Sequence, residues 1–559
     1  MTRFIFIMNR NQNIRRLRDE SFDLCIIGAG ASGAGSALDA ALRGLRVALI
    51  DRDDFASSTS SKSTKLVHGG VRYLEQAIKN FDFAQLRQVR HGLQERHLVI
   101  QNAPHLAHPL GLLTPVFSWW ESMYFSIGLH LYGLFASGKD RLPKSRRLSR
   151  KEALALMPGL HPRIYGAVLY YDGQLDDARY ALALTQSAAQ AGAVVANHLE
   201  VIDCQKDTSG SIHAILVKDH LNGEEFFIRS QHFLNCTGPG ADAVRHLANP
   251  QLPVRIRASK GVHAVLPLEI LGGNTALLIP KTRDGRVVFA VPFKGALLLG
   301  TTDDPVMDAK SEPVLDENEI DFLLETLQPF VNQPIHRNMV HAGFGGLRPL
   351  LAAMDRTHKK VKTKSLLRDH EVEYDPVSGL FSLLGGKWTT YRLMARDAVD
   401  AICKTMQLPT ASTTASHLLA GAEGWSPDLH LFLQSEYGLD SDTSAHLCLT
   451  YGAKAQQVAE LAREHPEWTA RIVSGFPAIR AEVAFAVRFE MACTLRDFMA
   501  RRIRLEILDW QLARQALPVV ARIMAEELDW SENEMQMQID AYKNLLDLFE
   551  SHAGKGTNA

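Results

Sequence analysis

Hydrophobic positions come in short blocks that stop on glycine or on an acid, and this pattern predicts the first elements of the chain. The run 22–27 is apolar and strand-like and leads directly into Gly28, Gly30 and Gly33. An alanine-rich stretch, 34–42, predicts a helix, and a second apolar run, 47–50, ends on Asp51. Strand, glycine turn, helix, strand and acid is the order of a dinucleotide-binding βαβ unit. The first glycine makes the turn, the second admits a pyrophosphate, and the third lets helix and strand approach. The N–H groups at the helix start attract phosphate, and Asp51 falls where a carboxylate accepts the hydroxyls of an adenosine ribose.

The pattern then changes. Seven Ser or Thr between 57 and 64, followed by His68, Gly69 and Gly70, make a poor helix and a poor core strand. Such a loop offers hydroxyl and backbone donors to phosphate and to a flavin ring, and Arg72 and Tyr73 at its end can point into a site. A long amphipathic helix is expected over 83–101. An apolar strand at 233–236 ends in Thr237-Gly238-Pro239-Gly240, a second approach to the dinucleotide. Residues 275–302 read as three antiparallel strands, turning at Asp284-Gly285 and Lys294-Gly295. Two glycine-rich turns follow apolar runs, at 343–350 and 383–392, and each carries a cation, Arg348 or Lys387. Gly385 and Gly386 precede Lys387, Thr389 and Thr390, which open a helix expected over 391–403. Helical periodicity returns at 453–461 and 481–505.

Composition narrows the classes. A chain of 559 residues with 46% hydrophobic and 22% charged residues is globular, with room for two or three domains. A net charge of -1 gives no basis for nucleic-acid binding. The six cysteines are scattered without a CxxC pair, which argues against a metal or iron–sulfur site and for a reducing compartment. The first 19 residues read as a tail, because the apolar stretch 4–8 is too short for a signal-peptide core. No stretch reaches the roughly 18 apolar residues of a membrane span. Residues 114–142 gather Trp119, Trp120, Tyr124, Phe125, Tyr132 and Phe135, with Arg146, Arg147, Arg150 and Lys151 close behind. That pattern suits either an amphipathic segment in a lipid headgroup layer or a buried helix.

These motifs together resemble the FAD-dependent glycerol-3-phosphate dehydrogenases, within the glycine/D-amino-acid-oxidase type of flavoproteins. IIGAGASGAG, TSSKSTKLVHGGVRYLE, APHLAHP, DDARY, NCTGPG, KGVH, GTTDDP, GGLRPL and GGKWTTYR follow one another in the family's order. The likeness covers about 20–400 and continues through TYGAKAQQV and the segment 490–505. It departs in detail over 57–64 and after Gly238, and Gly240 stands where the family often has Trp. The extra N-terminal residues are also outside the pattern.

The resemblance implies an α/β fold. A discontinuous Rossmann-type FAD-binding domain would occupy 20–95, 175–250 and 341–410, after a 1–19 tail. An antiparallel-sheet substrate domain would occupy 96–174 and 251–340, and a helical domain 411–559. It implies oxidation of sn-glycerol 3-phosphate at C2, with hydride passing to the flavin. Phosphate and substrate contacts fall to Arg72, Tyr73, Arg368 and Lys387. His263 is the expected base, with Arg348 polarising the hydroxyl; solvent assisted by an arginine, or His68, are the alternatives. The pyrophosphate is given to Gly28, Gly30, Ser32 and Gly33, the ribose to Asp51, and the ring to Ser61, Thr64, Lys65, His68, Gly69 and Gly70. Thr237, Gly238, Gly385, Gly386, Lys387, Thr389 and Thr390 complete the cofactor set, and no metal is expected. Family likeness also implies a quinone acceptor and peripheral attachment at the cytoplasmic face of the inner membrane. A homodimer is open. The rival readings are an oxidase making hydrogen peroxide, a related amino- or hydroxy-acid flavoenzyme, and a flavin-binding sensor.

Overall fold

The computed structural model describes residues 8–70, 83–135, 142–280, 282, 285–306, 311–352 and 370–555; of the side chains at 83–88 and 130–135 nothing is described. Arg72, Tyr73, Asp284 and Arg368 lie outside these residues.

The strand Ser21–Ile27 is buried from Leu24 onward because Leu24, Cys25, Ile26 and Ile27 present no polar side chain to either face. A strand apolar on both faces belongs in the middle of a parallel sheet. It pairs in parallel with Val47–Ile50 on one side and Glu225–Asn235 on the other. Val194–Ala196 and Leu380–Gly385 extend the parallel set outward. His370–Tyr374, Ile212–Asp219 and Leu199–Lys206 add antiparallel strands, eight in all among the described residues. Register matters most here. Ile27 lies beside Ile50 and Asn235, so the three strands end together and place Gly28, Asp51 and Cys236 side by side.

The helix Ala31–Leu42 starts at the expected glycine turn, and the helices Asp177–Gln190 and Tyr391–Thr405 pack against it. The Ser/Thr loop leaves this layer and its end, Leu66–Val67, joins a second sheet by pairing with Gly166–Leu175. That sheet has ten strands among the described residues and is largely antiparallel, with Ala107–Val116, Ile256–Pro267, Ala276–Ile279, Val288–Phe293 and Ala296–Gly300 at its centre. The three strands expected over 275–302 are the last three of these. Lys294 and Gly295 turn with φ of 46° and 83°, the backbone of a tight two-residue hairpin.

Three expectations change. The segment 341–410 divides, because Ala342–Leu351 pairs along its whole length with Ile256–Pro267 in the second sheet. Its apolar run reads like a Rossmann strand, and only pairing shows its sheet. The N-terminal tail contains a helix, Arg10–Asp19, capped by Asn9 and seated by a buried Leu17. Arg10 holds it down with two bonds to Asp219, of 3.0 and 2.9 Å. The helix expected over 481–505 stops at Glu490, where Met491 turns left-handed at φ 51°. The Asp497 carboxylate then accepts the N–H groups of Cys493 and Thr494 at 2.9 and 3.0 Å, and a separate turn, Asp497–Arg502, begins.

That break aims a row of arginines at the first sheet. Asp54, fully buried beyond Val47–Ile50, accepts Arg501, both terminal nitrogens of Arg502 (2.6 and 3.0 Å) and Asn197 (3.1 Å). Arg179 of Asp177–Gln190 pairs with buried Glu490 at 2.7 and 2.8 Å. Removing one partner of such a group leaves an uncompensated charge in the interior. Asp54→Ala is therefore expected to cost about 3–5 kcal/mol, seen as a lowered melting temperature, whereas substituting the exposed Asp53 changes it little.

Candidate active site

At the end of the parallel sheet, backbone approaches backbone. A Cβ on Gly28, whose φ is 99°, would lie 2.8 Å from the Cys236 carbonyl oxygen, and one on Gly33 would lie 1.8 Å from that of Gly28. Neither position admits a side chain, so the turn stays tight and open above. Asp51 is held beneath it: its carboxylate accepts the N–H of Ala29 at 2.6 Å and of Asp53 at 3.1 Å. Burial pushes this carboxyl up to about 7 against those two bonds, so further donors to the ionised form are favoured. Gly30 caps Ala31–Leu42 without a side-chain bond, and Ser32 stands half-buried in its first turn. Thr237 is fixed by its hydroxyl to Asn235 at 2.7 Å, and Gly238 follows at φ 55°. A glycine turn, a half-buried acid one strand away and a helix start fit the diphosphate and ribose of a dinucleotide.

The loop 57–70 ties this end to everything else. Ser60 accepts the N–H of Ala31 on its hydroxyl (2.9 Å) and the indole N–H of Trp388 on its carbonyl (2.9 Å). Thr59 donates to the Leu347 carbonyl at 2.6 Å. Thr64 Oγ1 and His263 Nε2 are 3.0 Å apart, and the His68 N–H donates to Thr389 Oγ1 at 3.3 Å. Gly69 packs so closely on Phe83–Asn102 that a Cβ on Gly92 would be 2.9 Å from its Cα. The loop thus gathers Gly30, Ser61, Thr64, His68, His263 and Thr389 into one place. Lys387 begins the short turn Trp388–Thr390, and its carbonyl accepts the Thr390 N–H at 3.1 Å.

His263 and Arg348 sit on neighbouring strands of the second sheet. The imidazole is buried, stacks on Phe344 at 4.7 Å, and has Nδ1 without a hydrogen-bond partner among the described residues. Burial, then the charges of Lys65 and Arg348, hold its pKa well below the usual value, so the ring is neutral. Arg348 is braced by Asp303 (3.1 Å), the Thr301 hydroxyl (2.9 Å) and the Thr302 carbonyl (2.9 Å), with part of its guanidinium open to solvent. It passes over Gly261, where a Cβ would lie 2.3 Å from its terminal nitrogen.

The sequence placed Lys65 at the flavin ring but showed neither its burial nor its partners, and it gave no role to Asp177, Thr301, Thr302, Asp303 or Arg504. Lys65 is fully buried, bonded to Asp177 (2.7 Å) and the Ser61 carbonyl (2.9 Å), and lies 4.7 Å from the centre of the Phe344 ring. Burial brings its ammonium down to about 7 in spite of Asp177. Arg504, far along the chain, reaches the same two acceptors. The motifs DDARY and GTTDDP carry Asp177, Thr301, Thr302 and Asp303, but nothing in their spacing says what they face. Arg72, Tyr73 and Arg368 lie outside the described residues. Among those described, no cluster of His, Cys, Asp or Glu could hold a metal ion.

The parallel sheet with its glycine turn and half-buried acid, joined to an antiparallel sheet that carries His263 and Arg348, defines an FAD-dependent oxidoreductase. Residues 23–392 match the family model for FAD dependent oxidoreductases, and 412–535 match the C-terminal domain of alpha-glycerophosphate oxidase. The chain is 40% identical over 552 residues to the mitochondrial glycerol-3-phosphate dehydrogenase of Homo sapiens, covering 96% of this chain and 75% of that one. It is 41% identical over 554 residues to the mitochondrial enzyme SDP6 of Arabidopsis thaliana, covering 95% and 87%. The crystal structure of the Bacillus halodurans glycerol-3-phosphate dehydrogenase complexed with FAD superposes with a TM-score of 0.79 at 28% identity, covering 99% of each chain. The chain belongs to the FAD-dependent glycerol-3-phosphate dehydrogenase family.

Because the atom nearest a Cβ at 261 is the far end of a flexible side chain, Gly261→Ala displaces the Arg348 guanidinium without breaking the sheet. The variant is expected to melt close to the wild type while dehydrogenase activity falls about tenfold or more, as for a small misplacement at a reacting centre. Thermal unfolding and steady-state assay on one sample check both halves.

Proposed function

We propose that this protein oxidises sn-glycerol 3-phosphate at C2 to dihydroxyacetone phosphate and passes the electrons to a membrane quinone. The observation that carries the reading is a neutral imidazole, His263, bonded to the loop that also holds the dinucleotide turn, with the braced guanidinium of Arg348 on the neighbouring strand. FAD, when bound, accepts the hydride from C2. Gly28, Gly30, Ser32 and Gly33 would hold its diphosphate, and Asp51 its ribose. Ser61, Thr64, Lys65, His68, Gly69 and Gly70 would serve its ring. Thr237, Gly238, Gly385, Gly386, Thr389 and Thr390 would complete the cofactor set, and Lys387 would supply positive charge near the ring.

The remaining residues act on the substrate. Arg72, Tyr73, Arg368 and Lys387 hold the phosphate, for which planar or point cations are suited. Arg348 donates to the C2 oxygen, and its carboxylate and carbonyl braces keep it from turning away. His263 is already in the uncharged form that a base requires and is the residue to receive the hydroxyl proton, while Thr64 fixes the ring through Nε2. Purified enzyme mixed anaerobically with glycerol 3-phosphate is expected to lose its flavin absorbance near roughly 450 nm, the usual band of oxidised flavin, and to regain it on adding a soluble quinone analogue. Peroxide formed at the rate of turnover in air, without quinone, overturns the acceptor assignment.

Peripheral attachment to the cytoplasmic face of the inner membrane is supported by the helix Trp119–Phe135. No described helix is long and apolar enough to cross a membrane, yet this one faces Trp119, Trp120, Tyr124 and Ile127 outward, Trp120 being 76% exposed. Arg147 lies against it, bonded to Ser126 at 2.8 Å, and Arg146, Arg150 and Lys151 are exposed beside it. Exposed aromatics edged by cations suit a headgroup layer. The protein is expected to sediment with membranes, to be released by high salt or detergent, and to become largely soluble as Trp119→Ser/Trp120→Ser. Sedimentation of that variant at the wild-type level places the contact elsewhere.

A further inference from the structure

Arg504 is more than seventy residues beyond the glycine-rich turn at 385–386, in the helical C-terminal part, yet it ends beneath the loop 57–70. Its backbone is left-handed, φ 70°, a conformation in which a residue with a Cβ is disfavoured. Its guanidinium is almost fully buried, which costs hydration. Both penalties are met for the sake of what the side chain touches. One terminal nitrogen donates to the Ser61 carbonyl at 2.8 Å and to Asp177 Oδ1 at 2.9 Å, and the other to the Ala500 carbonyl at 2.8 Å.

Those two acceptors are the ones Lys65 uses, at 2.9 Å for the Ser61 carbonyl and 2.7 Å for Asp177 Oδ2. Asp177 also accepts the Ser63 N–H at 2.9 Å and its hydroxyl at 2.7 Å. The turn 61–65, itself bent through a left-handed Lys65 at φ 62°, is therefore closed on both sides. Thr64 stands inside that closed turn and carries the bond to His263 Nε2.

We propose that Arg504 is a positioning residue of the active site: through Ser61 and Asp177 the C-terminal domain sets the shape of turn 61–65, and through Thr64 the pose of His263. This rests on the proposed role of that turn and of His263. Arg504→Lys keeps a charge for Asp177 and gives up the second acceptor; Arg504→Met removes both. With FAD-loaded enzyme, Arg504→Lys is expected to keep bound flavin and cooperative unfolding. Its anaerobic flavin reduction at saturating glycerol 3-phosphate slows about tenfold, the KM stays within about twofold, and the visible circular dichroism of the flavin changes. Arg504→Met is expected to be slower still, about a hundredfold; if it does not fold, the lysine variant decides. A reduction rate and visible dichroism equal to wild type in Arg504→Lys, or a rate that falls only in proportion to flavin lost, overturns the proposal. Wild-type enzyme that glycerol 3-phosphate does not reduce would overturn the proposed reaction instead, and the dichroism would still decide the role of Arg504.

Discussion

Two buried carboxylates, Asp54 and Asp177, hold three parts of the chain to one another. An ionised carboxylate in the interior is costly unless cations and donors surround it. Asp54 follows the second strand of the dinucleotide unit and takes Arg501 and Arg502; Asp177 begins the helix behind it and takes Lys65 and Arg504. The C-terminal segment 490–505 is thereby bound both to the end of the second parallel strand and to the start of the helix Asp177–Gln190. Without that segment Asp54 would lose both of its arginines, and Asp177 would keep only Lys65 of its cations. The family's helical domain thus has a physical reason to be continuous with the catalytic one, whatever else it does at its surface.

The second constraint is the loop 57–70. Short hydroxyl side chains reach only local partners, so those of Ser60, Thr59 and Thr64 fix the loop against Ala31, Leu347 and His263, and the Ser60 carbonyl fixes it against Trp388. The electrostatics follow from the same burial. Lys65, Asp51 and His263 all lose hydration, and in each desolvation moves the group toward its uncharged form. A site of this kind is prepared to receive charge, as a bound dinucleotide and a phosphorylated substrate would bring.

Much of the fold is legible in the chain. The glycine spacing of 28–33 fixes the first unit because no other residue tolerates an oxygen 1.8 Å from a Cβ. The apolar run 47–50 and the hairpin at 294–295 fall where periodicity and turn chemistry put them. Less legible is any element whose apolar pattern is shared by two destinations. Ala342–Leu351 suits either sheet, and only its pairing with Ile256–Pro267 settles which. Helical periodicity over 481–505 is real, but Met491 and Asp497 break it, because the acids in another segment draw its arginines inward.

By itself, the sequence determined the glycine turn with its flanking strands and helix and the three antiparallel strands over 275–302, because glycine sterics and hydrophobic periodicity act over a few neighbouring residues. Only the tertiary structure decided that the N-terminal residues 10–19 form a packed helix, that His263 is a neutral ring tied to Thr64, and that Arg504 lies under the cofactor loop. Those facts depend on burial and on pairing between groups hundreds of residues apart, and local pattern carries no record of either.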